Sequence, residues 1–225
     1  MIDLRLGRYQ DVLQDVTCDA VICDPPYSSR THNGQRTDDT NDMSDRRDIS
    51  YQHWTPEDVS NFSSFWAQRC RGWICAMTSH DLAPAYEKSL QEHGRYVFAP
   101  IPCVIPGMTC RLAGDGPSSW TVWLVVSRPK HAPYAKWGTL RGAYQSTQEK
   151  DKHIGGKPMV IMNAIIRDYS KPGDLICDPC AGGATTLIAA ASQGRRAVGS
   201  EMDADTYKKA MERIKAGYTP DMYAA

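Results

Sequence analysis

The chain carries no net charge: 26 Lys and Arg balance 26 Asp and Glu. A global field that would gather a polyanion is therefore excluded, and any nucleic-acid surface has to be local. No apolar run approaches the roughly 18 residues of a membrane span. The opening Met1-Ile-Asp-Leu-Arg5 lacks the apolar stretch of a secretory signal. Internal repeats and low-complexity tracts are missing too. The cysteines fall mostly inside apolar runs, at Cys23, Cys75, Cys103 and Cys177, where they read as small buried hydrophobes. Cys177-x-x-Cys180 has no second CxxC to pair with, so packing is expected there and neither a metal nor a redox centre. These absences together predict a cytoplasmic, reducing location without membrane contact. A length of 225 residues suits one domain, residues 1–225.

What is present is concentrated near the end, in Asp174-Leu-Ile-Cys-Asp178-Pro-Cys-Ala-Gly182-Gly183-Ala-Thr-Thr186. The apolar run Leu175–Cys177 predicts a buried parallel strand that stops at Asp178-Pro179, turns through two glycines and opens a helix over Thr185–Ser192. Glycine after a strand lets the backbone approach a ligand, and the helix behind it presents N–H groups. A second strand, Arg196–Ser200, runs into Glu201, 23 residues beyond Asp178. An acidic residue about 20 residues after a glycine turn is placed to hold ribose hydroxyls. The spacing is not G-x-G-x-x-G, and Asp178 would set a carboxylate beside a pyrophosphate. That disfavours a dinucleotide and favours a cofactor with a cationic amino group or sulfonium, both of which S-adenosylmethionine has.

A four-residue apolar run, Ala20–Cys23, ends in Asp24-Pro25-Pro26-Tyr27. Two prolines stiffen the chain at the end of a strand and remove two N–H donors, leaving carbonyls to accept. Asp24, the Pro25 carbonyl and the Tyr27 ring make a slot with two acceptors and a flat face, which suits a planar exocyclic amine. Acceptors drawing on the amine hydrogens would push its nitrogen toward a nucleophilic geometry, and Tyr27 would stack on a base taken out of the duplex.

Taken together, these motifs resemble the β-class DNA amino-methyltransferases, with D-P-P-Y early and the cofactor motif late. Gly156-Lys157-Pro158, the helix Met159–Tyr169, Ser170-Lys-Pro-Gly-Asp174 and the glycine turn match the cofactor block. The likeness is close over 1–27 and 153–214, and in outline elsewhere. It implies an α/β, Rossmann-like class I methyltransferase fold: a mostly parallel seven-stranded sheet with an antiparallel strand and helices on both faces. It implies Asp24, Pro25, Pro26 and Tyr27 as the catalytic, base-binding set. It implies S-adenosylmethionine contacts at Lys157, Pro158, Asp178, Pro179, Ala181, Gly182, Gly183, Thr185, Thr186, Glu201 and Met202. The resemblance implies double-stranded DNA as the partner; a homodimer is compatible with the reading. Asp at position 24, rather than Ser, favours adenine N6 over cytosine N4, with an RNA base or a protein amide as further alternatives and a non-catalytic nucleotide-binding module behind them. The chain departs from the family where Cys180 replaces an aromatic, where Gly183-Ala184 replaces Ser-Gly, and where His153-Ile-Gly-Gly precedes Lys157.

Between the motifs, residues 28–54 form a polar stretch expected to be a mobile loop on the catalytic side, with Tyr51 or Trp54 packing nearby. Thr55-Pro56-Glu57-Asp58 is a helix start, with the helix expected to about Cys70. Strands are expected at Trp73–Met77, Arg95–Ile101 and Trp120–Ser127. Residues 102–119 and 131–152 are candidate DNA-contacting segments. From Arg128 to Lys157 seven basic residues face two acidic ones, interleaved with Tyr134, Trp137 and Tyr144. Few side chains there could read base edges, so a short or relaxed recognition site is expected.

Overall fold

A computed structural model of the chain describes residues 1–30, 53–107, 119–131, 137–147 and 157–217. Its strands are β1 (Ile2–Leu6), β2 (Cys18–Cys23), β3 (Cys70–Thr78), β4 (Arg95–Val97), β5 (Ile101–Val104), β6 (Thr121–Pro129), β7 (Tyr144–Gln145), β8 (Leu175–Asp178) and β9 (Arg196–Glu201). They form one sheet in the order β1-β9-β8-β2-β3-β6-β5-β7, with β4 also paired to β6. All pairings are parallel except those of β6 with β3, β4 and β5, so among the described strands β6 alone is reversed.

The expected count of seven needs correcting to nine among the described residues. The predicted strand Arg95–Ile101 is split: β4 lies opposite Ser127–Pro129 and β5 opposite Thr121–Leu124, with Phe98 N still donating to Val126 O at 3.0 Å. Pro100 lies in the gap and has no N–H to continue the ladder. The two-residue β7 is the other addition, and nothing in its short sequence announces a strand. β3 is also longer than expected at its start, because Cys70 pairs with Cys18 of β2 and leaves the preceding helix to end at Ala67.

Helices α1 (Tyr9–Val12), α2 (Pro56–Ala67) and α3 (Ala83–Glu92) cover one face of the sheet, and α4 (Met159–Tyr169), α5 (Thr185–Ser192) and α6 (Ala204–Ala216) cover the other. Side chains alternate between the layers along each strand. In β3, Trp73, Cys75 and Met77 join the layer of α4 to α6, while Ile74 and Ala76 join that of α1 to α3. The predicted start of α2 is a capping box: Asp58 N donates to Thr55 Oγ1 at 3.3 Å and Thr55 N to Asp58 Oδ2 at 2.8 Å. Arg95 is buried and donates to the carbonyls of Ala67, Cys70, Gly72 and Ser127 and to Ser127 Oγ, and so ties the end of α2 to β3 and β6. Among the described residues no helix is long and apolar enough to cross a membrane.

Parallel strands bring their carboxyl ends to one edge of the sheet. The connections from β8 and from β2 lead to opposite sides, β8 to β9 and β2 to β3, so the two neighbours β8 and β2 flank a topological switch point. Ligands of open α/β sheets bind at such a point.

Candidate active site

On the β8 side of the switch point stands the glycine turn. Its backbone is anchored to the end of β9 by three bonds: Ala181 N donates to Ser200 O at 2.9 Å, Ser200 Oγ to Pro179 O at 2.9 Å, and Gly182 N to Glu201 Oε2 at 2.9 Å. The second Glu201 oxygen accepts from Asp203 N at 2.8 Å. Asp203 then caps α6, accepting from Thr206 N at 2.8 Å. Close packing makes this possible: a Cβ on Gly199 would stand 2.6 Å from Asp178 O, so only glycine lets β9 come this near to β8. Gly182 has φ 48°, and Ala184, the N-cap of α5, has φ 61°. Met202, the residue after Glu201, and Leu6, its register partner on β1, are both exposed.

Asp178, at the end of β8, is 2% exposed. Burial pushes its carboxyl up to about 7, against bonds from the Thr186 side chain and the Cys180 amide that pull it down; the charges of Asp24 and Glu201 add to the rise. The Cys180 amide donates to Asp178 Oδ1 at 3.0 Å. Three carboxylates thus stand at the ends of the adjacent strands β9, β8 and β2. They do not close on a metal: among the described residues no three His, Cys, Asp or Glu side chains are grouped to hold one. The arrangement instead favours an extended cationic ligand lying along the strand ends, since a positive charge would relieve their mutual repulsion. Cys177 and Cys180 have thiols pushed up by burial, which keeps them protonated.

On the β2 side, Tyr27 Oη donates to Asp24 Oδ1 at 2.7 Å and Lys157 Nζ to Asp24 Oδ2 at 2.5 Å. The Asp24 and Lys157 side chains are 23% and 11% exposed, so the ion pair is half-shielded from water. The same ammonium lies 4.9 Å from the centre of the Tyr27 ring. Pro25 is buried and Pro26 half-buried. Trp54 N donates to Tyr27 O at 3.0 Å, and the Trp54 ring packs on Phe62 at 5.6 Å, so the chain re-enters beside the turn it left.

The structure therefore brings the sequence-predicted residues into two adjoining groups. Asp178, Pro179, Ala181, Gly182, Gly183, Thr185, Thr186, Glu201 and Met202 gather at β8 and β9. Asp24, Pro25, Pro26 and Tyr27 gather at β2. Lys157, expected with the first group, is placed on Asp24 in the second. Pro158 is buried at the N-cap of α4, where its carbonyl accepts from Ile161 N at 3.1 Å. Sequence reasoning missed Arg213 of α6, which reaches the glycine turn; a lone Arg in the last turn of an amphipathic helix carries no motif. Of the expected loop 28–54, residues 31–52 lie outside the described residues. So do 108–118, 132–136 and 148–156 of the expected DNA-contacting segments and the approach to Lys157.

Residues 114–212 match the family model described as DNA methylase. The resemblance to DNA amino-methyltransferases thus stands on an independent match. Among curated proteins the chain is similar to DNA adenine methyltransferase YhdJ of Escherichia coli, 35% identical over 66 residues, which is 29% of this chain and 22% of that protein. The matched stretch therefore spans about a fifth of that relative's length. Among solved structures it is similar to the M1.HpyAVI–SAM complex, with a TM-score of 0.66 at 21% identity over 95% of this chain and all of that one. It is likewise similar to the PvuII DNA methyltransferase (cytosine-N4-specific), with a TM-score of 0.69 at 13% identity, covering 98% of this chain and 88% of that one. These likenesses show the fold, which is that of the class I methyltransferases.

Proposed function

We propose that this chain transfers a methyl group from S-adenosylmethionine to the exocyclic amine of a flipped base in double-stranded DNA, adenine N6 in the first place. The observation that carries the reading is the side-by-side placement of two unlike half-sites at one switch point. One is a glycine turn with the buried Asp178 beside it, and the other is the Asp24 carboxylate held by Tyr27 and Lys157.

The residues present fit the cofactor. Glu201 is fixed at both oxygens by backbone amides, and each oxygen keeps a lone pair for a ribose hydroxyl. Asp178 is buried, acidic and short of positive charge, which suits a cationic group. Leu6, the register partner of Glu201, and Met202, the residue after it, offer exposed apolar surface to an adenine ring. The cofactor, when bound, supplies a methyl group on a positively charged sulfur. The protein's own part is orientation. Asp24 draws on the amine hydrogens, its lone pairs beyond those used by Tyr27 and Lys157 remaining available. The carbonyl of Pro25 is a second acceptor on a stiff turn. The incoming base competes with the Lys157 ammonium for the Tyr27 ring face, so base entry shifts that lysine aside. No side chain in the set has to take up the proton before transfer, because the amine is made nucleophilic by geometry; after transfer the cationic amine releases one proton, which the Asp24 carboxylate can accept and pass to water.

Adenine is supported by Asp at position 24 and by the relative whose name carries that specificity. Cytosine N4 is the second reading, favoured by the similarity to the PvuII enzyme. The short run of chain left for base reading supports a site of roughly two to four base pairs, each well-made contact discriminating by about 1–3 kcal/mol. The test is incubation of DNA with the protein and methyl-labelled S-adenosylmethionine, followed by nucleoside analysis. Label in N6-methyladenine supports the first reading and label in N4-methylcytosine the second. Cofactor binding with no labelled nucleoside from any DNA would overturn both.

A further inference from the structure

The glycine turn contains a residue that ought not to adopt its conformation. Ala184 has φ 61° and ψ 25°, and it is the one non-glycine residue with positive φ among the described residues. A side chain at Cβ disfavours this left-handed region, which glycine enters without cost. Ala184 is fully buried, and its carbonyl accepts the first bond of α5, from Ile188 N at 3.0 Å. Relaxing it to an ordinary φ would swing the start of α5 and the amides of Gly182 and Gly183 away from the strand ends. Strain of this kind persists only where the surroundings over-determine it.

The surroundings here include one side chain. Arg213 Nη1, from the last turn of α6, donates to Gly183 O at 2.6 Å and to Thr185 Oγ1 at 2.8 Å. One nitrogen thus holds the residue before Ala184 and the residue after it. From the other side, Gly182 N is held by Glu201. The span between these fixed points is too short for residue 184 to leave the left-handed region without breaking one of them.

We propose that Arg213 is a positioning residue for the cofactor half-site: it clamps the left-handed turn at Ala184 and so keeps the glycine turn in the shape that receives the cofactor. The binding arm of this proposal rests on the cofactor reading above. The clamp itself is a property of the unliganded protein and is tested without any ligand.

The test is a double-mutant cycle of Arg213→Met with Ala184→Gly, and Arg213→Lys as the conservative variant. Thermal unfolding is read without ligand, and S-adenosylmethionine affinity by calorimetry. Arg213→Met is expected to lower the unfolding midpoint by about 2–4 °C in the native Ala184 background, and by less than half of that in the Ala184→Gly background. Cofactor affinity is expected to fall about tenfold in the first case and less than about threefold in the second, with kcat at saturating cofactor nearly unchanged. Arg213→Lys keeps a single donating nitrogen and should recover most of the affinity. An Arg213→Met chain that folds only when combined with Ala184→Gly supports the clamp as well. Equal losses in both backgrounds, or failure to fold in both, overturns it. If the wild-type protein binds no S-adenosylmethionine, the cofactor reading falls while the unfolding cycle still decides the clamp.

Discussion

The two halves of the site are built by different means. The β8–β9 half binds through the turn's own backbone: the amides of Ala181 and Gly182 and the carbonyl of Pro179 bond to the Ser200 carbonyl, the Glu201 carboxylate and the Ser200 hydroxyl, with Glu201 gripped at both oxygens. The β2 half is side chains: a carboxylate fixed by a phenol three residues on and by an ammonium 133 residues away in sequence. A backbone-built pocket is made by the fold and changes when the fold is strained. A side-chain-built slot can lose its chemistry while the fold stands. Mutations in the two halves should therefore separate into effects on cofactor affinity and effects on turnover.

The largest separation is expected at Asp24. Asp24→Ala removes the acceptor proposed to orient the amine, and turnover should drop about a thousandfold, within the range for groups acting on a reacting proton or lone pair. Cofactor affinity should stay within about threefold, since the side chain bonds to Tyr27 and Lys157 and not to the turn. Calorimetry alongside a single-turnover assay checks both; loss of cofactor binding would merge the two halves into one. Glu201→Ala should do the reverse. It removes the proposed ribose acceptors and the bond from Gly182 N, so the dissociation constant should rise about ten- to hundredfold, with turnover at saturation little changed. An unaltered dissociation constant would remove Glu201 from the cofactor half.

Legibility in the sequence divides along the same line. The β8–β9 half could be read because strand, glycine turn and helix are contiguous, so Asp178, Gly182 and the span of α5 follow from local pattern, as does the cap at Thr55, while α4 came with the family resemblance. Asp24-Pro25-Pro26-Tyr27 was legible as a stiff acceptor turn for the same reason. What was not legible is contact between distant segments. Nothing local to Lys157 says that its ammonium reaches Asp24, and nothing local to Arg213 says that it reaches Gly183 and Thr185. The left-handed Ala184 was hidden as well, because an alanine points to negative φ and only its surroundings hold it otherwise. The split of β4 from β5 was hinted at by Pro100 and Pro102, yet the pairing with β6 that reveals it as one broken strand is tertiary.

A third prediction uses pH to mark the boundary between the halves. The Asp178 carboxyl, up from an ordinary 3.8 to about 7 through burial first, takes up its proton near neutrality in the unliganded protein. A bound cation favours its charged form, so cofactor affinity should rise as pH increases toward and through about 7, by up to about tenfold per unit on the acid side, with proton release on binding. Stability of the unliganded protein carries the opposite sign. The folded state holds the proton more tightly than the unfolded one. This contribution is therefore fully present below about pH 4, falls as pH rises and is gone above about 7, on the order of 4 kcal/mol at most. Asp178→Asn should flatten both profiles. A wild-type affinity profile as flat as that of the Asn variant would show that this carboxylate does not face the cofactor's charge.

The smallest effect, and the sharpest for the comparison, is expected at Lys157, since its sequence context belongs to one half and its side chain to the other. Its ammonium bonds Asp24 at 2.5 Å and lies over the Tyr27 ring, and among the described residues no bond from its side chain to the glycine turn accompanies these. Lys157→Met keeps the length and apolar stem of the side chain and deletes the charge. A half-shielded carboxylate then loses a charge-assisted partner, an interaction contributing typically about 1.5–3 kcal/mol. Part of that returns as water reaches the 23%-exposed Asp24 side chain. Part returns because the lysine no longer competes for the ring face that the base needs. Turnover should therefore fall only about three- to tenfold, with the dissociation constant for S-adenosylmethionine changed less than about threefold. If instead the cofactor constant rises tenfold and turnover at saturation holds, the lysine leaves Asp24 when the cofactor arrives and works for the backbone-built half. The contact with Asp24 would then describe the unliganded protein alone.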